Sequence, residues 1–498
     1  TNGFWQLGAT ARMRILDGGI YAAANAGFVG QGLNVSGGVV SVEAGGAYQV
    51  VSSGSFVSNK ATLNVDGGQI DVTAGGVIFS INGILRNARL AIAAGAQIQV
   101  ADAQLTLAGT IKSTGTGTLN VVTADTTLGH LNIAAEGATL DFAPGTFTLN
   151  GFTTLAGPGK ITNVGDIEID GIVTIQTEIT TASSGTIHSN QSSTLNGPAA
   201  GFHMLAGSTF FGRGGIAASS QDTKGLIVET GARLVASGSL STGNMPIFVR
   251  GGTVEAQGGF GASFEGPVSF SDTRFVTNGG AAVTFRSTAV VNFAGTITGS
   301  GPALSVLLTE AATVNIGAAG VTFAFDPNVL RIDVPIIQGP GILTLATDTE
   351  MFNNPTLRTE VRVLTNLFLH TGVIIDGPAG GLLRIMPGAT LGTHSSIAGV
   401  GIGSSGTIAN GGRGLVIEKG GTLLYNTQGP LSIAVPVDNR GTINIVQFNL
   451  TITGPIAQIS GTAGNLTLTG GTWIQGANAS IDLGVPAIAT IGAGAEVD

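Results

Sequence analysis

Apolar and polar residues alternate in short runs along most of this chain, and glycines close most of the runs. Residues 33–50 read LNVSGGVVSVEAGGAYQV, and residues 63–80 read LNVDGGQIDVTAGGVIFS. Because successive side chains of a strand point to opposite faces, this alternation predicts strands with one buried face. Glycine supplies turn conformations that other residues avoid. The pattern therefore predicts many short strands joined by tight turns.

The same two segments start about 30 residues apart and match without a gap, which indicates an internal repeat. One repeat holds three short strands and three turns, which is the content of one coil of a solenoid. Stacked coils place apolar side chains on one another in continuous interior ladders. We therefore predict an all-β fold, a right-handed single-stranded parallel β-helix (β-solenoid). With about 24 to 30 residues per coil, the 498 residues make about 17–20 coils.

Degenerate copies of the strand pattern continue to the end of the chain. They are LAIAAGAQI from Leu90, LNIAAEGATL from Leu131, LIVETGARL from Leu226, LRIMPGATL from Leu383 and LVIEKGGTL from Leu415. No charge run or disordered tract interrupts them, and the prolines lie mostly beside glycines, where they fit turns. We therefore expect one continuous β-solenoid domain over residues 1–498.

A longer repeat overlies the short one. GPGKIT from Gly157 matches GPGILT from Gly339, and GLIVETGARL from Gly225 matches GLVIEKGGTL from Gly414. A third match, NGPAAGF with DGPAGGL, lies between these two at a similar offset. The ordered matches predict an internal duplication in which residues of about 157–256 are related to residues of about 339–445.

Composition narrows the class of protein. Charged residues make up 10% of the chain, aromatic residues 5% and apolar residues 43%, and there are 81 glycines. The absence of cysteine excludes disulfides and thiolate chemistry. The net charge is −9 and no basic cluster occurs, so we expect no nucleic-acid binding. No run of 18 apolar residues is free of glycine and polar interruptions, so we expect no transmembrane segment.

The LxVxxGG and VxAGG cadence resembles the passenger domains of bacterial autotransporters and filamentous-haemagglutinin-like adhesins. It is also similar to the large repetitive surface proteins of environmental bacteria. The likeness covers nearly the whole chain, but its motif carries little information and transfers no functional residue. It implies a secreted β-helix at the bacterial cell surface, which serves in attachment or as an extracellular fibre.

The two ends of the sequence suggest a piece of something longer. The chain begins at Thr1 rather than methionine, and residues 492–498 read as the start of another repeat. Neither end carries an evident polar cap, and an open coil end exposes unpaired backbone groups. We therefore expect self-association end to end, or continuation within a longer parent chain.

The densest acidic cluster is Asp166, Glu168 and Asp170 in GDIEIDG. A spacing of two places the three carboxylates on one face of a strand, with Ile167 and Ile169 on the other. This row is a candidate calcium site, or the carboxylate row of a β-helical polysaccharide lyase. A lyase also needs a nearby base, and Lys160 is the only basic residue close in sequence. A solvated outer strand face is the simpler interpretation.

The five histidines are scattered and have no metal-ligand spacing, so we expect them in surface or loop positions. They are His130, His188, His203, His370 and His394.

Three functions remain open at this point. The leading hypothesis is a non-enzymatic extracellular structural or adhesive protein, a segment of a surface fibre, sheath or filament, without cofactor, whose partner is a surface glycan or a host-cell ligand. One alternative is a β-helical polysaccharide lyase or hydrolase, which needs a groove with acids, a base and exposed aromatic residues. Another alternative is a receptor-binding protein like a phage tailspike, which is trimeric.

Overall fold

The structure is a computed structural model. It describes residues 6–7, 12–15, 20–23, 34–35, 39–42, 47–50, 57–72, 76–101, 104–123, 130–143, 145–219, 222–259, 261–278, 281–285, 290–300, 305–309, 313–325, 330–376, 380–393, 400–404, 414–426, 430–462, 465–485 and 488–498.

The fold is all-β, and its parallel strands stack as a β-solenoid, which confirms the predicted fold class. No helix occurs within those ranges. Each strand pairs with the strand three places further along the chain in most of the molecule, because three strands complete one coil. An antiparallel pair, β54 (Ile459–Thr462) with β55 (Asn465–Leu468), departs from this pattern.

Contacts divide the chain into two compact units, Thr1–Val254 and Glu255–Asp498, and each is described by itself. The prediction of one continuous domain therefore stays a prediction.

The strands that begin in the first unit are β1 Gln6–Leu7, β2 Arg12–Ile15, β3 Ile20–Ala23, β4 Asn34–Val35, β5 Val39–Val42, β6 Ala47–Val50, β7 Val57–Asp66, β8 Gln69–Val72, β9 Gly76–Arg86, β10 Arg89–Ile92, β11 Gln97–Ala101, β12 Gln104–Ser113, β13 Thr118–Thr123, β14 His130–Asp141, β15 Thr146–Gly151, β16 Thr154–Ala156, β17 Ile161–Asn163, β18 Asp166–Ile169, β19 Val173–Ile175, β20 Glu178–Thr181, β21 Thr186–Ser189, β22 Ser193–Leu195, β23 Gly201–Met204, β24 Thr209–Gly212, β25 Ile216–Ala218, β26 Gly225–Val228, β27 Arg233–Ala236, β28 Leu240–Ser241, β29 Ile247–Arg250 and β30 Thr253–Ala256.

The strands of the second unit are β31 Ala262–Phe264, β32 Val268–Ser271, β33 Arg274–Thr277, β34 Ala282–Phe285, β35 Val290–Ser300, β36 Ser305–Thr309, β37 Thr313–Phe325, β38 Leu330–Asp333, β39 Ile336–Gln338, β40 Leu343–Leu345, β41 Thr349–Met351, β42 Thr356–Arg358, β43 Glu360–Val363, β44 Asn366–Leu369, β45 Val373–Ile375, β46 Leu382–Ile385, β47 Thr390–Thr393, β48 Val400–Ser404, β49 Leu415–Ile417, β50 Thr422–Tyr425, β51 Leu431–Ile433, β52 Val437–Asn439, β53 Thr442–Ile452, β54 and β55 as given above, β56 Gly471–Asp482, β57 Ile488–Ile491 and β58 Ala495–Val497.

Alternating side chains build the core, as the sequence pattern predicts. In β21, for example, Ile187 and Ser189 are buried while Thr186 and His188 are half-exposed. Parallel partners then stack in the interior, and one column of the first unit runs through five consecutive coils at 1% exposure or less. Its members are Ile161, Ile179, Phe202, Leu226 and Ile247.

The coil is shorter than predicted in the segment that suggested its length. Val40 of β5 lies beside Leu63 of β7, and Tyr48 of β6 lies beside Ile70 of β8. The sequence match aligns Val40 with Ile70 instead, and Ile70 lies in the next strand column. The chain thus completes a coil at Leu63, before it reaches the residue that matches Val40. The offset between the matched segments spans one coil and one further strand, so the predicted coil length is wrong here.

The step between coils also varies along the chain. The step from Ile161 to its partner Ile179 is much shorter than the step from Leu383 to its partner Leu415. The strands keep their register in both cases, so the connecting loops absorb the difference.

Phenylalanines form a ladder inside the second unit. Phe264 pairs in register with Phe285, and Phe270 with Phe293. The rings of each pair are stacked, with centroids 5.4 and 5.6 Å apart. All four side chains are at most 1% exposed, so a large part of the aromatic content serves as core.

Candidate functional site: two ladders of ion pairs

The predicted acidic row lies on the outer face of β18. Asp166 is exposed and Glu168 half-buried, while Ile167 and Ile169 are at most 1% exposed, as the spacing predicts. Asp170 follows the end of the strand and accepts a hydrogen bond from Asn190 Nδ2 at 2.6 Å. In the described part of the chain, no group of three histidine or carboxylate side chains is placed to hold a metal ion. The geometry therefore gives no support to the calcium prediction.

Lys160, the predicted base, contacts a different carboxylate. Its Nζ lies 2.9 Å from Glu178 Oε2, and Lys224 Nζ donates a hydrogen bond to the same oxygen. The Glu178 side chain is only 8% exposed, whereas those of Lys160 and Lys224 are 63% and 40% exposed. The carboxylate is thus covered by two ammonium groups, and it is these cations that face solvent.

The absence of a side chain at Gly201 permits this contact. Glu178 lies beside Gly201 in the pairing of β20 with β23. A Cβ atom at Gly201 would lie 2.7 Å from Lys224 Cβ and 2.8 Å from Gly225 O, which is too close for real atoms. Lys224 follows Gly201 by a full coil, so its side chain reaches across the bare backbone of one coil to the carboxylate of the coil beyond.

Lys160 and Lys224 with Glu178 begin a ladder of ion pairs. This first ladder, the Glu178 cluster, continues through His203, Glu229 and Arg250. His203 Nδ1 lies 3.6 Å from Glu178 Oε1, and His203 Nε2 lies 3.2 Å from Glu229 Oε1. Arg250 Nη1 donates to the same Glu229 oxygen at 3.4 Å. The Arg250 guanidinium also lies 5.8 Å from the centre of the Phe248 ring, in a cation–π contact. Charged groups from consecutive coils therefore alternate in sign along this face when His203 is protonated.

The lysines determine the charge state of Glu178. Burial disfavours its ionised form, but the hydrogen bonds from Lys224 and Lys160 outweigh burial and lower the pKa of Glu178 from 4.5 to about 2. Glu178 is therefore ionised at any physiological pH. A carboxylate held in that state does not serve as a general acid near neutral pH.

The second unit carries a corresponding ladder built from arginines. Glu360 Oε1 accepts hydrogen bonds from Arg362 Nε at 2.7 Å and from Arg384 Nε at 3.0 Å. Arg384 Nη1 also donates to Glu418, which accepts a further hydrogen bond from Arg440 Nη1 at 3.3 Å. Burial of Glu360 acts against ionisation, but the two arginines outweigh it and lower its pKa.

Asp438 is the last carboxylate of this second ladder and is only 4% exposed. Arg440 Nη2 lies 2.8 Å from Asp438 Oδ2, and Gln458 Nε2 donates to Asp438 Oδ1 at 2.5 Å. The hydrogen bond that Arg440 donates to the Asp438 carboxylate raises the pKa of Arg440 above its ordinary value. The ladder thus ends in an ion pair whose carboxylate is nearly fully buried and has an amide partner as well.

The two ladders occupy corresponding positions in the matched segments. Glu178 corresponds to Glu360, and the matches GLIVETGARL and GLVIEKGGTL place Glu229 opposite Glu418. Arg250 and Arg440 each follow as the partner of the second glutamate. His203 lies one coil before Glu229, and Arg384 lies one coil before Glu418.

The backbone agrees with this correspondence. Gly157 and Gly339 have φ angles of +123° and +136°. A Cβ atom at Gly157 would lie 2.2 Å from Ile133 O, and one at Gly339 would lie 2.1 Å from Ile316 O. This pair of corresponding glycines therefore has the same backbone surroundings in both segments. A duplication would leave this arrangement, and the duplication itself stays a prediction.

An uncharged ladder follows another outer column of the second unit. Asn292 Nδ2 donates to Ser269 Oγ at 3.2 Å, Asn315 Nδ2 to Asn292 Oδ1 at 3.1 Å, and Gln338 Nε2 to Asn315 Oδ1 at 3.0 Å. Each of these bonds joins one coil to the next. Polar side chains thus connect coils here as the ion pairs do elsewhere.

A shallow groove of about 450 Å³ lies beside the Glu178 cluster in the first unit. Thr110, Thr139 and Thr162 line it from three consecutive coils, and they are partners in register. Lys160 and Glu136 line it as well, and Glu136 Oε1 lies 3.2 Å from Arg86 Nη2. The groove therefore joins a row of hydroxyl groups to the ammonium group that covers Glu178.

Sequence reasoning missed both ladders. Among the predicted surface histidines, His203 lies between two carboxylates, His188 stacks on Phe211 with centroids 4.8 Å apart, and His370 stacks on Phe352 at 3.9 Å. Nothing is described of the His130 side chain, and His394 lies outside the described residues. The sequence did contain one signal for the ladders. The matched segments GLIVETGARL and GLVIEKGGTL share a glutamate, Glu229 and Glu418, although charged residues are rare in this chain.

Comparison with protein-family models, with curated protein sequences and with solved structures found no match for this chain. Among the residues that the structure describes, no helix is long and apolar enough to cross a membrane.

Proposed function

We propose that this chain is a non-enzymatic structural or adhesive β-solenoid, a segment of an extracellular surface fibre, sheath or filament. The observation that carries the proposal is that the buried and half-buried charged groups pair with one another across coils. In both ladders, carboxylates and cations of successive coils bind one another, so their charges join coils. A fibre needs such cross-coil contacts along its length, because each coil is stabilised only by its neighbours.

Further support comes from the sequence. Few charges, no cysteine and continuous repeats are typical of secreted β-helices at bacterial surfaces, which the LxVxxGG cadence resembles. Under this proposal the protein lies outside the cell and associates with further copies or with the rest of a longer chain.

A β-helical polysaccharide lyase or hydrolase is the second candidate, and one observation favours it. His203 lies between Glu178 and Glu229 on an outer face that also carries Lys224 and Arg250. A histidine hydrogen-bonded to a carboxylate is a common general base. The low pKa of Glu178 argues for a structural role of the cluster, because a permanently paired carboxylate gives no proton.

Electron microscopy and a cleavage assay test the two candidates on the same purified chain. We expect filaments or end-to-end assemblies whose length increases with protein concentration. We also expect no new reducing ends and no unsaturated sugar products after incubation with polygalacturonate or alginate. Cleavage of either polymer, abolished by His203→Gln, would instead establish the enzyme.

A further inference from the structure

The positive charge of the Glu178 cluster exceeds its negative charge. Lys160, Lys224 and Arg250 stand against the two carboxylates Glu178 and Glu229. Both ammonium groups share one oxygen of Glu178, so one of them lacks a carboxylate of its own. The cluster thus has one more cation than it has carboxylates, on a chain of net charge −9.

The second unit supplies a comparison within the same molecule. Arg362, Arg384 and Arg440 stand there against three carboxylates, Glu360, Glu418 and Asp438. That ladder is balanced, so stacking coils through ion pairs does not itself require a surplus cation. The Glu178 cluster, by contrast, has a cation without a carboxylate of its own.

The exposed position of the surplus charge shows where an anion has access. Lys160 is the most exposed of the cations in the first ladder, and it lines the groove. The groove also holds the hydroxyl groups of Thr110, Thr139 and Thr162, which follow one another at the spacing of coils, about 4.8 Å. Hydroxyl groups repeated at this spacing suit a polymer that itself presents hydroxyl groups, because each coil then offers a donor and an acceptor.

We propose that this groove binds an acidic polysaccharide, with a carboxylate of the polymer on Lys160 and its hydroxyl groups along the threonine row. The inference rests on the proposed adhesive role and gives it a ligand class. Glu136, which lines the groove and pairs with Arg86, limits the number of anionic groups that the groove accepts. Widely spaced carboxylates therefore fit better than the dense charge of a highly sulfated chain.

Titration calorimetry of the purified chain with polygalacturonate tests the site, with dextran sulfate and neutral dextran as further probes. We expect polygalacturonate to bind in a salt-dependent manner, dextran sulfate more weakly and dextran not at all. Lys160→Gln should weaken binding of polygalacturonate roughly tenfold, because it removes one charge-assisted hydrogen bond. Lys160→Arg should largely restore it.

Arg362→Gln is the matched control, since it removes a cation of the balanced ladder in the second unit. It should leave the affinity for polygalacturonate unchanged. Thermal unfolding of each variant identifies any loss of fold, and Lys224 still pairs with Glu178 in Lys160→Gln.

The outcomes separate this inference from the proposed function. The assignment of the groove as a binding site is wrong if polygalacturonate does not bind. It is also wrong if folded Lys160→Gln binds polygalacturonate as tightly as the unchanged chain does. Both outcomes hold even where filaments form. Equal weakening by Arg362→Gln overturns it as well, and stronger binding of dextran sulfate overturns the assignment to carboxylates. Binding followed by cleavage would support the groove and overturn the non-enzymatic function.

Discussion

A buried carboxylate such as Glu178 costs free energy unless its oxygens have charged partners, because water no longer solvates it. Lys160 and Lys224 supply those partners from coils on either side of β20. Gly201 makes their approach possible, since any side chain there would collide with Lys224. The positions of four residues from four successive coils thus depend on one another.

Glu178→Gln should destabilise the first unit by about 2–4 kcal/mol, because the amide keeps the shape but leaves two ammonium groups close together without their carboxylate. Urea unfolding followed by circular dichroism measures the change. Glu360→Gln is the matched control in the second unit, and its cost should be smaller because Glu360 is 20% exposed against 8% for Glu178. Equal losses in the two variants would show that burial of the carboxylate does not determine how much stability is lost.

The stability of the first unit should also depend on pH through Glu178. Its folded-state pKa is about 2, below the ordinary 4.5, so its contribution is fully present above about pH 4.5 and is lost as pH falls towards 2. The contribution is on the order of 3 kcal/mol. Unfolding of Glu178→Gln, measured across the same pH range, should lack this part of the acid destabilisation. An unchanged acid profile in that variant would contradict the prediction.

Glycine can be required at a position because of a positive φ angle or because a Cβ atom has no room, and Gly95 and Gly157 allow the two causes to be compared. Both have positive φ, but a Cβ at Gly157 would collide with Ile133 O, whereas none of the described atoms lies within 4 Å of a Cβ at Gly95. Gly95→Ala should therefore cost about 1 kcal/mol and Gly157→Ala about 3 kcal/mol or more. Denaturant midpoints of the two variants check the difference, and similar midpoints would refute it.

At the scale of the strands, the interior ladders carry most of the stabilising contacts. Each strand buries alternate side chains against the same positions of the neighbouring coils, as in the column from Ile161 to Ile247. In the second unit stacked phenylalanine rings occupy two such columns. The loss of one ring therefore leaves a cavity bounded by several coils.

Phe270→Ala should destabilise the second unit by about 3–5 kcal/mol, because the neighbouring rings cannot collapse into the space. Leu364→Ala is the control, since Leu364 is 41% exposed in the same unit, and its cost should stay below about 1 kcal/mol. Thermal unfolding of both variants measures the two costs. A loss below about 1 kcal/mol for Phe270→Ala would show that the ring ladder contributes little.

The alternation of residues such as Val40 and Val42 was enough to predict strands, solenoid coils and the outer face of β18. It was not enough to predict the length of the coil. All three strands of a coil have the same apolar pattern, so a match without gaps can join one strand column to the next, as it does for Val40 and Ile70. The sequence also could not predict which residues pair with Glu178. Lys224 lies two coils beyond Glu178, and loops of variable length separate them.

For the whole molecule, a solenoid has contacts mainly between neighbouring coils, so a local defect should have local consequences. Phe210→Ala removes a buried ring of the first unit. We expect it to accelerate amide hydrogen exchange in the surrounding strands β21, β24 and β27, and to leave exchange in β46 of the second unit unchanged. Mass spectrometry of exchanged peptides measures this. Faster exchange throughout both units would indicate a single cooperative fold instead.

The unequal steps from Ile161 to Ile179 and from Leu383 to Leu415 have a practical meaning. The strands keep their pairing although the second connection carries many more residues than the first. Foreign peptides could therefore be grafted into such connections without disturbing the stacked strands beneath them. Because coils follow one another at about 4.8 Å, several grafts would stand at a known and regular spacing, as on a molecular ruler.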